Sequence, residues 1–450
     1  MPARRPAHLA GRSLLWPTWR GFGRKVAVAA VLLAGVLSGA EIYLANAGAT
    51  TATFPLLVIN SGSSNATYVG PGGSTTAPDV GTGAKDVAIT PNGQYAYVTN
   101  YDSGTVSVVD GVNTASPSVS STTITSGNGA DGIAITPDGK YLYVTNSNAN
   151  TVTVIDGAST ASPSIETTLS VPNGPNAIAI TPNGQYAYVT NGNSDTVTVI
   201  DGANTTNPTV SSTTLTVGYG PSAIAVTPTG NAAYVVVSGS DEVYAIDNPE
   251  TSSPTVSSTT LSVGSGPDSI AITPDGEYAY VTNYNADTVS VIDGADTSSP
   301  SVSSTVLSVG SDPDAVAVSP DGAYAYVANY NASNVSVIDN ADSSSPAVSS
   351  TKITVGPNPT SLVVGPDQAP VASLSVTPAP AGQATTFSAS GSTVTYGTIS
   401  SYHWIFGDGT SATTSTDSTT HTYSSANTYT ASVTETDSAG TSTYRLHQSR

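Results

Sequence analysis

One short pattern, recurring at a nearly fixed interval, governs this 450-residue chain. Pro-Asn-Gly, Pro-Asp-Gly or, once, Pro-Thr-Gly follows Thr or Ser at residues 90–93, 136–139, 181–184, 227–230, 273–276 and 319–322, with steps of 46, 45, 46, 46 and 46. A Tyr-rich run comes next each time, such as Tyr95-Ala96-Tyr97-Val98-Thr99-Asn100. Each unit holds four short β-rich runs, illustrated by residues 269–273, 278–282, 288–292 and, in the preceding link, 255–263. Between the first two runs proline fixes φ and glycine accepts the positive φ of a tight hairpin. Four strands in a repeat of this length describe a propeller blade.

The ends of the array predict how it closes. Residues 360–364 match a first strand, and then the pattern stops. Residues 56–60 match a second strand, 66–69 a third and 78–81 a degenerate fourth, all before the first complete unit near Asp86. Six whole blades and one shared between the two ends make a seven-bladed, all-β propeller over residues 50–367. A linear solenoid would share the periodicity but would not explain complementary leftovers. Sharing a blade also protects strand edges that would otherwise template aggregation.

At this point the residues carry a family resemblance. Tyr97-Val98-Thr99-Asn100, Tyr143-Val144-Thr145-Asn146, Tyr188-Val189-Thr190-Asn191 and Tyr280-Val281-Thr282-Asn283 resemble the signature of the YVTN β-propeller repeat family. Tyr326-Val327-Ala328-Asn329 departs at one position, and Tyr234-Val235-Val236-Val237 keeps only the first half. The resemblance implies the fold, but such propellers include surface-layer proteins, lactonase-like enzymes and proteins of unassigned role. The alternating Tyr, Val and Ile are expected to pack adjacent sheets rather than to recognise a ligand.

A composition shift at residues 365–370 marks a linker, placed at 368–371, and residues 372–450 form a second β module. Trp404-Ile405-Phe406-Gly407-Asp408-Gly409, His421-Thr422-Tyr423 and Tyr429-Thr430-Ala431-Ser432-Val433 resemble the PKD domain, an immunoglobulin-like sandwich. Its strands are expected at residues 372–376, 385–389, 402–406 and 429–435, with residues 444–450 completing the last. Trp404 and Phe406 share one face as core, Asp408-Gly409 makes a hairpin turn, and His421 reads as a structural strand residue.

The first 47 residues read as a secretory signal. Six of the eleven Lys and Arg lie in the first 25 residues, an apolar run spans 26–40, and Ala45-Asn46-Ala47 supplies a cleavage site. A signal anchor is the rival reading, since the apolar run approaches a bilayer span. The sequence after residue 47 holds no second hydrophobic span, so the expectation is a secreted or envelope-associated body with no membrane span of its own. That body is strongly acidic, with 31 Asp and Glu in the full chain, which excludes nucleic acid as a partner.

Chemistry is constrained by omission. The chain has no Cys, which excludes disulfides, thiolate metal sites and cysteine nucleophiles. Its four His are His8, His403, His421 and His447, all outside the propeller, and Arg is absent between residues 25 and 444. A Ser-His-Asp triad or a three-His metal centre therefore cannot be assembled in the propeller. Carboxylate-only catalysis stays open.

Alignment on the repeat places Lys85, Asp131, Asn176, Ser222, Asp268, Asp314 and Thr360 at equivalent positions around one mouth of the channel. The loops between second and third strands, with Tyr101, Tyr284 and Tyr330, fall on the same face. Such an oxygen-rich rim suits a neutral glycan or weak Ca²⁺ capture by Asp131, Asp268 and Asp314, although sevenfold spacing is expected to hold those acids apart. No other cofactor is implied, and the competing reading is that these side chains cap turns. The expected function is non-catalytic binding or adhesion at the cell surface, to a glycan or a surface protein. A lactonase-like propeller hydrolase is the alternative: a compact cluster of Asp, Glu or Lys in the channel favours it, whereas an open rim of Tyr, Asn and Asp favours binding.

Overall fold

The computed structural model describes residues 54–450 apart from 71–74, 77, 115–116, 367–369, 395–398, 438–441 and 449–450, so the predicted signal segment lies outside the described residues. Among the described residues no helix is long and apolar enough to cross a membrane.

Seven four-stranded antiparallel sheets form the blades. Blade 1 consists of Ala84–Ile89, Tyr95–Asn100, Thr105–Asp110 and Ser118–Thr125, from the inner to the outer strand. Blades 2 to 6 repeat that order from the inner strands Ala130–Ile135, Pro175–Ile180, Pro221–Val226, Pro267–Ile272 and Pro313–Val318. Blade 7 takes its inner strand, Pro359–Val364, from one end of the array and Leu56–Asn60, Asn65–Val69 and Thr75–Thr76 from the other. The shared blade is thus as expected, with its last strand at Thr75–Thr76 rather than at 78–81, where only Asp79 bridges to Asn65. The outer strand of each whole blade comes from the link that follows it. Thr255–Ser262 therefore belongs to blade 4, and blade 5 ends in Ser301–Ser308.

The repeated Tyr, Thr and Asn each hold a different part of this ring. The buried Tyr97, Tyr143, Tyr188, Tyr234 and Tyr280 hydroxyls donate to the Ala158, Ala203, Pro249, Ala295 and Ala341 carbonyls of the next blade at 2.6–2.8 Å. The Thr99, Thr145 and Thr282 hydroxyls donate to the Asp131, Asn176 and Asp314 carbonyls of the next inner strand. The Asn side chains work within a blade, as where Asn100 Nδ2 donates to Thr105 and Ser107 at 3.1 and 3.0 Å. Each bond satisfies a polar group that burial would otherwise strand, at a cost of roughly 1–3 kcal/mol.

Apolar packing follows the same logic, because each core lies between two blades. Leu57, Ile59 and Tyr68 of blade 7 meet Val87, Val98 and Val109 of blade 1, and Leu56, Val58 and Leu362 of blade 7 meet Tyr326, Ala328 and Val335 of blade 6. The two chain ends of the array are therefore locked both by a strand ladder and by two interblade cores.

The PKD region forms a sandwich. Ser375–Thr377, Ala384–Ser388 and Ser418–Thr422 make one sheet, and Ser411–Thr414, Ile399–Ile405, Thr430–Asp437 and Ser442–Gln448 the other. The strands at 411–414 and 418–422 were not anticipated, since their Ser and Thr runs lack apolar alternation. Trp404 and Phe406 are buried with Phe387 and Val433. His421 stacks on Phe406 at 4.2 Å and its Nε2 lies 2.7 Å from Asp408 Oδ2, which fits a structural strand residue.

Deleting the strand Pro359–Val364 strips blade 7 of its inner strand and removes Leu362 from a shared core. Loss of that side chain alone carries about 2–5 kcal/mol, so the urea midpoint of the propeller transition should fall by more than any surface-loop deletion causes. An unchanged midpoint would contradict closure through this strand.

Candidate functional site at the channel mouth

The seven inner strands neighbour one another in a ring and line the channel. Each pairs with its second strand through a register break at its beginning. In blade 1, Ala84 pairs with Asn100 and Val87 with Val98, so Lys85 and Asp86 together oppose Thr99. A bulge of this kind re-aims a side chain. The Asp86 N–H freed from the ladder donates instead to Thr99 Oγ1 at 3.0 Å. Similar breaks occur at the start of the inner strands of the other blades, including blade 7, where Thr360 is skipped. The motif threonine that joins blades therefore also supports the bulge that carries the mouth residue.

All seven predicted ring positions fall where the repeat placed them, at the second residue of each inner strand. Three of them are tied into the wall. Asn176 Nδ2 donates to the Pro221 carbonyl at 2.8 Å and its Oδ1 accepts from Thr190 at 2.6 Å. Ser222 donates to the Asp268 carbonyl at 3.2 Å, and Thr360 to the Lys85 carbonyl at 3.1 Å. For these three the turn-and-wall role fits.

The charged members behave differently. Lys85 is exposed to water yet surrounded by protein, the condition of a side chain inside a wet channel. Enclosure works against its charge, but Asp314, Asp131, Asp268 and Asp86 together outweigh that effect and hold the ammonium above its ordinary range. Enclosure pushes Asp131 up to about 7, against the pull of Lys85 and with repulsion from Asp86 and Asp268. Asp314 is raised well above the carboxylate range by burial and then by its hydrogen bond to Asp268. A second carboxyl group so close disfavours the charged form of Asp314, which adds to the effect of burial. Asp268 and Asp314, on adjacent blades, are therefore in contact despite the sevenfold spacing, whereas Asp131 on blade 2 does not join them.

This pairing also bears on the calcium reading. Among the described residues no group of three His, Cys, Asp or Glu side chains is placed to hold a metal ion.

Asp86 is a residue the sequence reading passed over. Its Oδ1 accepts from Ser361 Oγ at 2.6 Å and from Val87 N at 2.8 Å, and its Oδ2 accepts from Ile133 N at 3.1 Å. One carboxyl group therefore connects blades 7, 1 and 2. Burial raises its proton affinity against these bonds. The signal was present: Gly132, Ala177, Ala223, Ser269, Ala315 and Ser361 occupy the equivalent place in the other blades.

The loops between second and third strands lie beside this mouth, as expected. Tyr101 N donates to the Gly83 carbonyl, Tyr284 N to that of Gly266 and Tyr330 N to that of Asp312, each at 2.8 Å, just ahead of the inner strands. The Tyr284 and Tyr330 rings lie 6.4 Å apart at 51°, and Tyr101 Oη donates to Asn148 Oδ1 at 3.3 Å. Burial first, then Asp312, Asp314, Tyr330 and Asp268, raise the Tyr284 phenol, which places that ring next to the acidic pair. Tyr219, in the loop leading to blade 4, is 73% exposed on the same face and was also missed. The mouth therefore combines a compact Asp and Lys cluster with an open rim of Tyr, Asn and Asp.

Comparisons with known proteins agree with this architecture. A family model described as "Lactonase, 7-bladed beta-propeller" matches residues 64–220 and 218–299, and one described as "PKD domain" matches 367–449. The propeller match falls on the lactonase family, where the repeat had pointed to the YVTN group. No curated protein matches the chain. Among solved structures, a functionally unknown protein from Desulfotomaculum acetoxidans is 16% identical with a TM-score of 0.60, covering 70% of this chain and 100% of its own. The periplasmic gluconolactonase of Pseudomonas aeruginosa is 18% identical with a TM-score of 0.60, covering 69% and 99%. Hydrazine synthase from Kuenenia stuttgartiensis is 20% identical with a TM-score of 0.52, covering 70% and 95%. At these identities the likeness is one of fold alone.

The raised Asp131 gives a test of the electrostatics. A carboxyl whose folded value lies above its unfolded one holds a proton in the native state that the unfolded chain has lost. The native state is therefore favoured below the unfolded value near 4 and penalised as pH rises through about 7. Asp131→Asn should raise the melting temperature at pH 8 and leave it nearly unchanged at pH 4. Equal shifts at both pH values would contradict the assignment.

Proposed function

We propose, from the premise that this chain belongs to the lactonase family of seven-bladed β-propellers and carries a PKD domain after it, that it is an exported binding or adhesion protein. Its channel mouth takes a neutral polyhydroxylated ligand, a surface glycan above all. The observation that carries this reading is the Tyr284 and Tyr330 pair, 6.4 Å apart, beside the Asp268 and Asp314 carboxyl groups, of which burial and its neighbour push Asp314 well above the carboxylate range. A sugar has apolar C–H faces that stack on aromatic rings and hydroxyl groups that both donate and accept. Protonated and ionised carboxyls side by side offer both partners.

The charge balance selects against anions. Lys85 faces four carboxyl groups, and no arginine lies in the propeller to form a bidentate contact with phosphate or carboxylate. Export rests on the leader at residues 1–47, and the PKD module adds a second interaction surface.

A lactonase-type hydrolase is the second reading, favoured by the contact of Asp268 with Asp314, which together with burial raises the Asp314 carboxyl. An ionised carboxylate can activate water while its protonated neighbour supplies the leaving oxygen with a proton. The opposing observation is that Asp314, Asp131, Asp268 and Asp86 crowd the Lys85 ammonium, which leaves it engaged rather than free to stabilise an oxyanion.

One experiment serves both. Calorimetry of the full chain against a panel of neutral and phosphorylated sugars should show heat for neutral members only, weakened at least tenfold by Tyr284→Ala with Tyr330→Ala. Binding that is indifferent to that double substitution would overturn the reading. Hydrolysis of glucono-δ-lactone above the buffer rate, abolished by Asp268→Asn in a folded variant, would move the assignment to the enzyme.

A further inference from the structure

The seven mouth loops are not equivalent, and the difference concentrates on blade 4. In the loop that precedes each inner strand, Tyr219 stands where the other blades carry Thr82, Asn128, Asn173, Ser265, Ser311 and Pro357. It is the only aromatic residue at that place, lies between Gly218 and Gly220, and is 73% exposed.

The facing loop has changed with it. After the second strand of blade 4 comes Ser238-Gly239, whereas five other blades place Asp102, Asn148, Asn193, Asn285 or Asn331 at the position of Gly239 and blade 7 places Gly62, with no aromatic residue in its facing loop. A Cβ on Gly239 would lie 2.4 Å from Cδ1 of Tyr219, so the missing side chain is what lets the ring rest on that loop. Backbone contact fixes the approach, with Gly239 N donating to the Tyr219 carbonyl at 3.1 Å. In blade 3, by contrast, it is the side chain of Asn193 that closes over Gly174.

Blade 4 also gives up the polar bonds of its motif. Val236 and Val237 replace Thr and Asn, and Tyr244 fills the space where Ser107, Thr153, Thr198, Ser290 or Ser336 would accept the asparagine amide. Ser222 takes over the bond to the Asp268 carbonyl. Other blades also depart from the motif, at Ala328 in blade 6 and at Leu57 and Ile59 in blade 7, but only blade 4 sets a bare glycine under an exposed aromatic ring, which marks a place under functional demand.

We infer that Tyr219, seated on Gly239, is a second sugar platform, and that the ligand is a neutral oligosaccharide lying along the arc of blades 4 to 6 rather than a single sugar. This rests on the glycan reading above. One platform is Tyr219 at the entry to blade 4. The other is the Tyr284 and Tyr330 pair on blades 5 and 6, beside Asp268 and Asp314. The Tyr284 and Tyr330 centroids lie 6.4 Å apart. A single ring seated there leaves Tyr219 on the adjoining blade uncovered, and a chain of sugars covers both. At 73% exposure Tyr219 presents its ring to solvent, and among the described residues of the propeller no other aromatic side chain is exposed.

The test compares chain lengths. Calorimetry on the full chain would use N-acetylglucosamine, glucose and the β-1,4-linked tetramer of each. The tetramer should bind at least tenfold more tightly than its monomer. Tyr219→Ala should remove roughly tenfold from tetramer affinity and leave monomer affinity unchanged, with Tyr219→Phe close to wild type. Tyr284→Ala should weaken monomer and tetramer alike. If Tyr219→Ala leaves the tetramer unaffected while Tyr284→Ala weakens it, the second platform is overturned and the glycan reading stands. If tetramer and monomer bind equally, the oligosaccharide is overturned. If none of the four sugars binds at millimolar concentration, both fall.

Discussion

The propeller depends on hydrogen bonds that the second strand of one blade makes to the blade after it. A Tyr hydroxyl near the start of that strand and a Thr hydroxyl near its end both reach a carbonyl of the next sheet, so each blade is positioned by its predecessor. These bonds run from blades 1 to 5 and stop at blade 7, where Leu57 and Ile59 replace the Tyr and Thr. The interblade cores that join blade 7 to blades 6 and 1 complete the ring, and the ladder between Leu56–Asn60 and Pro359–Val364 ties both ends of the array into one sheet. Stability in such a structure is a sum of nearest-neighbour terms, so a loss at one interface is felt by two blades.

The same threonine that joins blades builds the mouth. By accepting the N–H released at the bulge and donating to the neighbouring inner strand, Thr99 fixes both the carbonyl of Asp131 and the backbone beneath Lys85. Acid groups are thereby held within a narrow, wet channel regardless of whether their charges agree. The cost appears as proton uptake: Asp131 moves up to about 7 and Asp314 rises well above the carboxylate range. Lys85 offsets part of that repulsion and is itself stabilised by it. Structural bonding and site electrostatics thus have one origin in the repeat.

Much of this was legible in the sequence because it repeats. The hairpin glycines, such as Gly93 at φ 66° and Gly276 at φ 74°, fix where each blade turns, and the leftover runs at the two ends could be matched to missing strands. The fourth strand of blade 7 was misplaced because Thr75–Thr76 has no apolar alternation and is only two residues long. Proximity of Asp268 and Asp314 was not legible, since an ideal ring spaces its positions evenly and the bulge that redirects them is a property of pairing. Asp86 and Tyr219 could have been found, because each departs from small or polar residues at its aligned position. A search for what the repeats share passes over such departures.

The central claim is that the repeat holds proton-bearing carboxyl groups beside a charged lysine at one mouth of the propeller. Carbon-13 NMR of aspartate-labelled full-length protein, titrated from pH 3 to pH 9, reads this most directly. A carboxyl resonance titrating at about 7 and missing in Asp131→Asn is the predicted result, together with a second late-titrating signal that Asp268→Asn shifts downward. If every aspartate instead titrates below about 5, near the ordinary carboxylate value, the mouth is an ordinary solvated rim and the account of the site is wrong.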